Sequence, residues 1–101
     1  MRREKSIEIK TTKGWHLLGT FGRDMTIYYQ INRGWVSVEL KCYNSVMFKG
    51  RTSDFKAMVK ELENFEENKD GYYRGWKYEE WEWDDVVREI VEKYLERGDE
   101  K

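Results

Sequence analysis

From Met25 to Tyr43 the chain reads MTIYYQINRGWVSVELKCY, and its alternation constrains the fold more than any other feature. Alternation with period two marks a strand with one buried face. If Arg33-Gly34 is the tip of a two-residue hairpin loop, Met25, Ile27, Tyr29 and Ile31 fall opposite Cys42, Leu40, Val38 and Val36, and every pair is apolar. The remaining positions pair Thr26 with Lys41, Tyr28 with Glu39, Gln30 with Ser37 and Asn32 with Trp35. A slip of one residue would mix the two sets and bury polar groups, so the hydrophobic pattern selects this register.

Neighbouring segments extend the same inner face. With Gly22-Arg23-Asp24 as a loop, Trp15, Leu17, Gly19 and Phe21 come beside Ile31, Tyr29, Ile27 and Met25. With Thr12-Lys13-Gly14 as another, Ile7, Ile9 and Thr11 add an outer strand. The expectation is a four-stranded meander of Ile7 to Thr11, Trp15 to Phe21, Met25 to Asn32 and Trp35 to Tyr43, with Trp15 in the core and Trp35 outside it. Asn44-Ser45 interrupts the pattern, and Val46-Met47-Phe48 is too short to stand alone and reads as a bulged continuation of the fourth strand.

Helical spacing takes over from there. Phe55, Met58, Val59, Leu62 and Phe65 form one apolar stripe behind a cap at Thr52 or Ser53. Val86, Val87, Ile90, Val91, Tyr94 and Leu95 form a second, capped by Asp84 and stopped at Gly98. Asp84 with Arg88 and Glu89 with Lys93 stand four apart, as ion pairs on a solvated helix face do. Between the helices, GYYRGWKYEEWEW at residues 71 to 83 is too aromatic for a free linker, and its tryptophan spacing suggests extended structure.

The predicted fold class is therefore α+β: a four-stranded antiparallel β-meander packed on one face by two α-helices, with an aromatic and acidic connector between the helices that has room for an extra strand. Residues 1–101 form a single domain, with the sheet at about 6–48, helices at about 53–67 and 84–97, and short charged termini. A chain of this length can bury roughly two-thirds of its unfolded surface in one core.

Composition narrows the setting. The lone Cys42 cannot form an internal disulfide, and no apolar run approaches a membrane span, so an intracellular, cytoplasmic protein with no membrane association is expected. Abundant Lys and Glu beside a single Gln are thermophile-like, though the absence of Pro is not. The net charge of −1 hides a polarity: residues 1–60 hold 12 Lys or Arg against 5 Asp or Glu, and residues 61–101 hold 7 against 15. Such asymmetry favours an anionic partner at the basic half, or a basic half neutralised by the acidic one.

Catalytic chemistry finds little support. One His and one Cys cannot assemble a zinc site, and Glu79, Glu80, Glu82, Asp84 and Asp85 lack the spacing of a calcium loop. Cys42 falls on the inner face and His16 on the outer, which separates the one possible nucleophile from the one possible imidazole base. The glycines form no phosphate-cradling motif. The expectation is a protein without cofactor or metal, and no enzyme.

The outer face of the sheet carries more. It would present His16, Leu18, Tyr28, Gln30, Trp35, Lys41 and Tyr43, with Lys10 on the flanking strand and Lys13, Arg23 and Arg33 at the turns as candidate phosphate contacts. The first functional expectation is a non-enzymatic interaction protein that binds a protein partner, or itself as a homodimer, through exposed aromatics including Tyr28, Trp35, Trp76, Trp81 and Trp83. The alternative is single-stranded nucleic-acid binding on the basic aromatic face, where rings stack bases and cations meet phosphates. Residues 72–83 could instead fold over that face and cover it.

Overall fold

A computed structural model describes residues 14–96. Four antiparallel strands, β1 (His16–Phe21), β2 (Met25–Asn32), β3 (Trp35–Cys42) and β4 (Ser45–Thr52), lie side by side in chain order. Two helices follow, α1 (Phe55–Asn68) and α2 (Trp83–Tyr94), the second entered through a short 3-10 turn at Glu80–Glu82. The chain is an α+β meander with its helices on one face of the sheet.

The β2–β3 hairpin has the register that its alternation requires, from Met25 opposite Cys42 to Asn32 opposite Trp35. Ile27, Val38 and Leu40 are wholly buried beneath the helices. Against them lie Met58, Leu62 and Phe65 of α1 and Val87, Ile90 and Val91 of α2, one apolar stripe per helix. Tyr73 of the connector joins this core, its ring edge-on to Phe65 at 5.1 Å.

The strand set differs from the expected one. Ile7 to Thr11 lies outside the described residues, and the fourth strand of the meander is Ser45–Thr52, a full partner of β3 from Cys42–Ser45 to Val36–Thr52. Asn44 is thus part of a tight turn and does not end the sheet. A register shift near Leu40 and Lys41 and the side-chain-free Gly50 on the inner face hide the alternation of β4 from its sequence.

β1 corrects a second expectation. Phe21 and Gly19 sit opposite Met25 and Ile27, but a bulge at Leu18 then places Leu17 opposite Tyr28 and His16 opposite Tyr29. One extra residue reverses the facing of everything before it. Leu18 therefore packs on the core, while Trp15, expected inside, is 42% exposed, and His16, expected outside, stands 5.7 Å from the Tyr29 ring on the helix side. Gly19 favours the bulge: its φ of 154° is a conformation that residues with a Cβ rarely adopt.

The helix ends also depart from the simple reading. Thr52 Oγ1 accepts from the Asp54 amide at 3.0 Å just ahead of α1. Glu79 and Glu82 form a reciprocal capping box at the 3-10 turn, so Asp84 is not the cap of α2. It reaches instead to the β1–β2 turn, where its Oδ1 accepts from the amides of Arg23 and Asp24 at 2.7 and 3.0 Å. The expected Asp84–Arg88 and Glu89–Lys93 pairs give way to Arg88 with Asp85 and Lys93 with Glu61. α2 stops at Tyr94 and not at Gly98, because Leu95 turns extended and the Glu96 amide donates to the Arg51 carbonyl of β4 at 2.7 Å.

A cationic, aromatic groove on the outer face of the sheet

The helix-free face of the sheet is built by the residues that alternate away from the core. Trp35, Ser37, Glu39 and Lys41 come from β3, Tyr28 and Gln30 from β2, and Lys49 and Arg51 from β4. The β1 bulge adds Leu17 and puts Trp15 on the same side. Trp15, Leu17 and Trp35 are 42%, 59% and 39% exposed, far from the usual fate of such large apolar groups.

Each cation of this face lies against a ring. Lys41 Nζ is 5.4 Å from the Tyr28 centroid, Lys49 Nζ 5.8 Å from Trp15, and Arg51 Cζ 4.9 Å from Trp35. Contacts of this kind are worth about 0.5–1 kcal/mol at exposed sites, and they hold long side chains flat on the face. Trp15 and Trp35 with Ser37, Lys49, Arg51 and Glu96 line an open groove of about 440 Å³. A tryptophan from the first edge and cations from the fourth strand thus share one groove across the face.

Charge is segregated between the two sides of the domain. Residues 14–52 carry 5 Lys or Arg against 2 Asp or Glu, and residues 53–96 carry 7 against 14. The connector belongs to the acidic, helical side: Tyr73 and Tyr78 pack near Phe65, and Lys69 lies 4.8 Å over the Trp83 ring. It is not the cover of the groove.

The expected site residues divide accordingly. Tyr28, Gln30, Trp35 and Lys41 share the outer face, with Arg33 at the turn beside Trp35. Arg23 lies at the opposite end, in the turn held by Asp84. Tyr43 is in the β3–β4 turn at φ 59°, its hydroxyl donating to Asp24 Oδ2 at 3.1 Å. Trp76 and Trp81, both 68% exposed, and the half-buried Trp83 sit on the helical side and form no continuous surface with Trp35. Lys10 and Lys13 lie outside the described residues. Lys49, Arg51, Trp15 and Glu96 are the groove residues that sequence reasoning missed.

Two other titratable groups define what the domain can do chemically. Burial, then the charges of Asp84 and Asp24, push the half-buried Cys42 thiol above its ordinary value, which disfavours the thiolate. Glu61 on α1 is the centre of a polar brace. Its carboxylate accepts from Tyr73 Oη at 3.0 Å, Tyr94 Oη at 2.9 Å, Lys93 Nζ at 2.9 Å and the Arg74 guanidinium. Burial alone would raise its pKa, but the bonds from Lys93, Tyr94, Arg74 and Tyr73 win and hold it down to about 2. An anion so fully engaged is a brace between α1, α2 and the connector, and a poor general base.

Among the described residues no group of three or more His, Cys, Asp or Glu is placed to hold a metal ion, and no helix is long and apolar enough to cross a membrane. Comparison with protein-family models, with curated proteins and with solved structures finds no match to this chain.

Proposed function

We propose that the protein is a non-enzymatic binding module that holds single-stranded nucleic acid on the outer face of its sheet. The observation that carries the reading is the co-location of three ring–cation pairs, Tyr28–Lys41, Trp15–Lys49 and Trp35–Arg51, on one sheet face free of the connector, the last two flanking a groove. Bases of any kind stack on aromatic rings, each worth about 1–3 kcal/mol by alanine substitution, while neighbouring cations take the phosphates. Most of the acidic residues belong to the helices and the connector on the far side of the domain, where they orient the basic face toward a polyanion.

Charge also weighs against the simplest form of self-association. A two-fold dimer through this face would bring Lys41, Lys49 and Arg51 of two copies together with Glu39 as the nearby compensation on the sheet. Exposed Leu17, Val46 and Met47 favour the second reading, a protein partner docked on the same face, and that partner would be acidic.

Salt dependence and the choice of ligand test the nucleic-acid reading. With about three phosphates neutralised by Lys41, Lys49 and Arg51, affinity for a single strand should fall roughly 18-fold between 50 and 200 mM salt, from a slope near −0.7 per phosphate. Tryptophan fluorescence titrated with a short single-stranded oligonucleotide at both salts measures this, and a Lys49→Ala, Arg51→Ala variant should lose about two-thirds of the slope. Absence of binding even at the lower salt would sink the nucleic-acid reading. In that event an acidic peptide that bound wild type and missed the Trp35→Ala, Tyr28→Ala variant would favour the protein-partner one.

A further inference from the structure

We propose that the groove between Trp15 and Trp35 is a one-base subsite in which Glu96 selects bases with amino donors on their Watson–Crick edge, guanine above all, against uracil or thymine. The inference rests on the nucleic-acid reading above. Its starting point is an anomaly of charge. A groove meant for phosphates alone gains from every cation and loses from every anion, yet a carboxylate stands among its lining residues beside Lys49 and Arg51.

Glu96 is held there from two directions. Its amide donates to the Arg51 carbonyl at 2.7 Å, which ties the chain after α2 to β4. Ser53 Oγ donates to Glu96 Oε2 at 3.2 Å. A carboxylate offers about four acceptor positions, and among the described residues the Ser53 hydroxyl takes one of them. Leu95 fixes the approach from the inside, where its side chain lies against Gly50 so closely that a Cβ there would meet Leu95 Cδ1 at 3.2 Å.

Two tryptophans and a carboxylate could also make a cage for a cation. Here Lys49 and Arg51 each already lie over a ring, so an added cation would meet like charge, whereas a neutral base meets none. What those rings and cations accept together is a planar group on a phosphate-bearing chain. With the base stacked on Trp35 or Trp15 and its phosphates toward Lys49 and Arg51, the base edge is the part left to meet Glu96.

The chemistry of that edge sets the preference. Guanine presents N1–H and N2–H₂ side by side and can give a carboxylate two parallel hydrogen bonds. Cytosine and adenine each offer one exocyclic amino donor. Uracil and thymine offer a single N3–H between two carbonyl oxygens, which the carboxylate repels. One good bidentate pair discriminates by about tenfold or more.

The test uses heptauridylate and three versions with a central guanosine, adenosine or cytidine, titrated into the full chain at low salt. Wild type should bind the guanosine version about tenfold tighter than heptauridylate. Glu96→Gln should shrink that ratio below about twofold and leave heptauridylate binding as tight or tighter, since one anion has gone from a cationic groove. A general structural defect would lower all four affinities together and leave the ratio intact. Equal binding of the four oligonucleotides by wild type, or an undiminished guanosine preference in Glu96→Gln, overturns the inference while the nucleic-acid reading stands. If heptauridylate and its versions all fail to bind wild type, the reading beneath it falls too.

Discussion

Replacing Glu61 with glutamine is expected to lower stability at neutral pH by about 2 kcal/mol, the scale of charge-assisted hydrogen bonds that lose their acceptor. The side chain is 16% exposed, so solvent screens it little. Glutamine keeps the shape but turns one acceptor into a donor among the donors Tyr73, Arg74, Lys93 and Tyr94. At least one of those groups then loses its partner, and Tyr73 is buried to 3% exposure, where an unsatisfied hydroxyl is costly.

The pH dependence follows from the direction of the shift. The folded pKa of Glu61, about 2, lies below its ordinary 4.5, so its contribution is fully present above about pH 4.5 and drains away as pH falls toward 2. Tyr73 sets the other limit: burial first, then its bond to Glu61, raises it from 10.0 to about 12, so the neutral hydroxyl's contribution is present below pH 10 and lost on going to 12. The two shifts describe one hydrogen bond from its two ends and are not added. Urea unfolding of wild type and Glu61→Gln at pH 7 and pH 3 checks the account. The gap between them should narrow clearly at pH 3, and a gap below 1 kcal/mol at pH 7, or one indifferent to pH, would refute it.

Glu61 itself could not have been read from the sequence. It occupies an ordinary solvent-side position of an amphipathic helix, and its partners lie 12, 13, 32 and 33 residues away. The β2–β3 hairpin, by contrast, was legible residue by residue, because Met25, Ile27, Tyr29 and Ile31 compete with only Thr26, Tyr28, Gln30 and Asn32 on the other phase. Leu17 and Leu18 show the opposite case. Two adjacent leucines make both phases of β1 equally apolar, so the pattern could not tell whether Trp15 or His16 faced the helices, and the bulge decided it. Residues after the bulge, Gly19 and Phe21, were placed correctly for that same reason.

The groove was half legible. Tyr28, Trp35 and Lys41 came with the hairpin register, whereas Lys49 and Arg51 depended on recognising β4. There the inward positions are Phe48, Gly50 and Thr52, and one of these has no side chain and another a hydroxyl. Gly50 is a glycine because Leu95 packs over it, a contact 45 residues distant that no local pattern can announce. Glu96 was hidden by the continuation of helical spacing past Tyr94. It becomes a groove residue because backbone pairing with Arg51 outweighs that spacing.

A basic residue, a glycine and a tryptophan follow one another at residues 13 to 15, 33 to 35 and 74 to 76, and the turn glycines lead to the second large effect. At Gly34 and Gly75 φ is 83° and 81°, with nothing within 4 Å of where a Cβ would be. Gly22, outside those triplets, has a similar φ of 70°, but a Cβ there would stand 2.7 Å from Asp84 Oδ1, 3.1 Å from Val87 Cγ2 and 3.2 Å from the Trp83 carbonyl. The backbone carbonyl cannot step aside, and the carboxylate is the group that holds the Arg23 and Asp24 amides. On the other side of the turn, the Gly22 amide donates to Glu66 Oε2 at 2.6 Å and its carbonyl accepts from Lys69 at 2.9 Å. One glycine thus lets the β1–β2 turn dock between the end of α1 and the start of α2. Gly34→Ala should cost about 1 kcal/mol, the conformational term alone, while Gly22→Ala should cost about 3 kcal/mol because the docking bonds are disturbed as well. Paired urea melts measure the difference, and it should shrink in an Asp84→Ala background, where the closest obstacle and the turn's acceptor are both gone. Equal costs at the two glycines would mean that the turn is held by its own conformation, and that the contacts to Glu66, Lys69 and Asp84 add nothing to the fold.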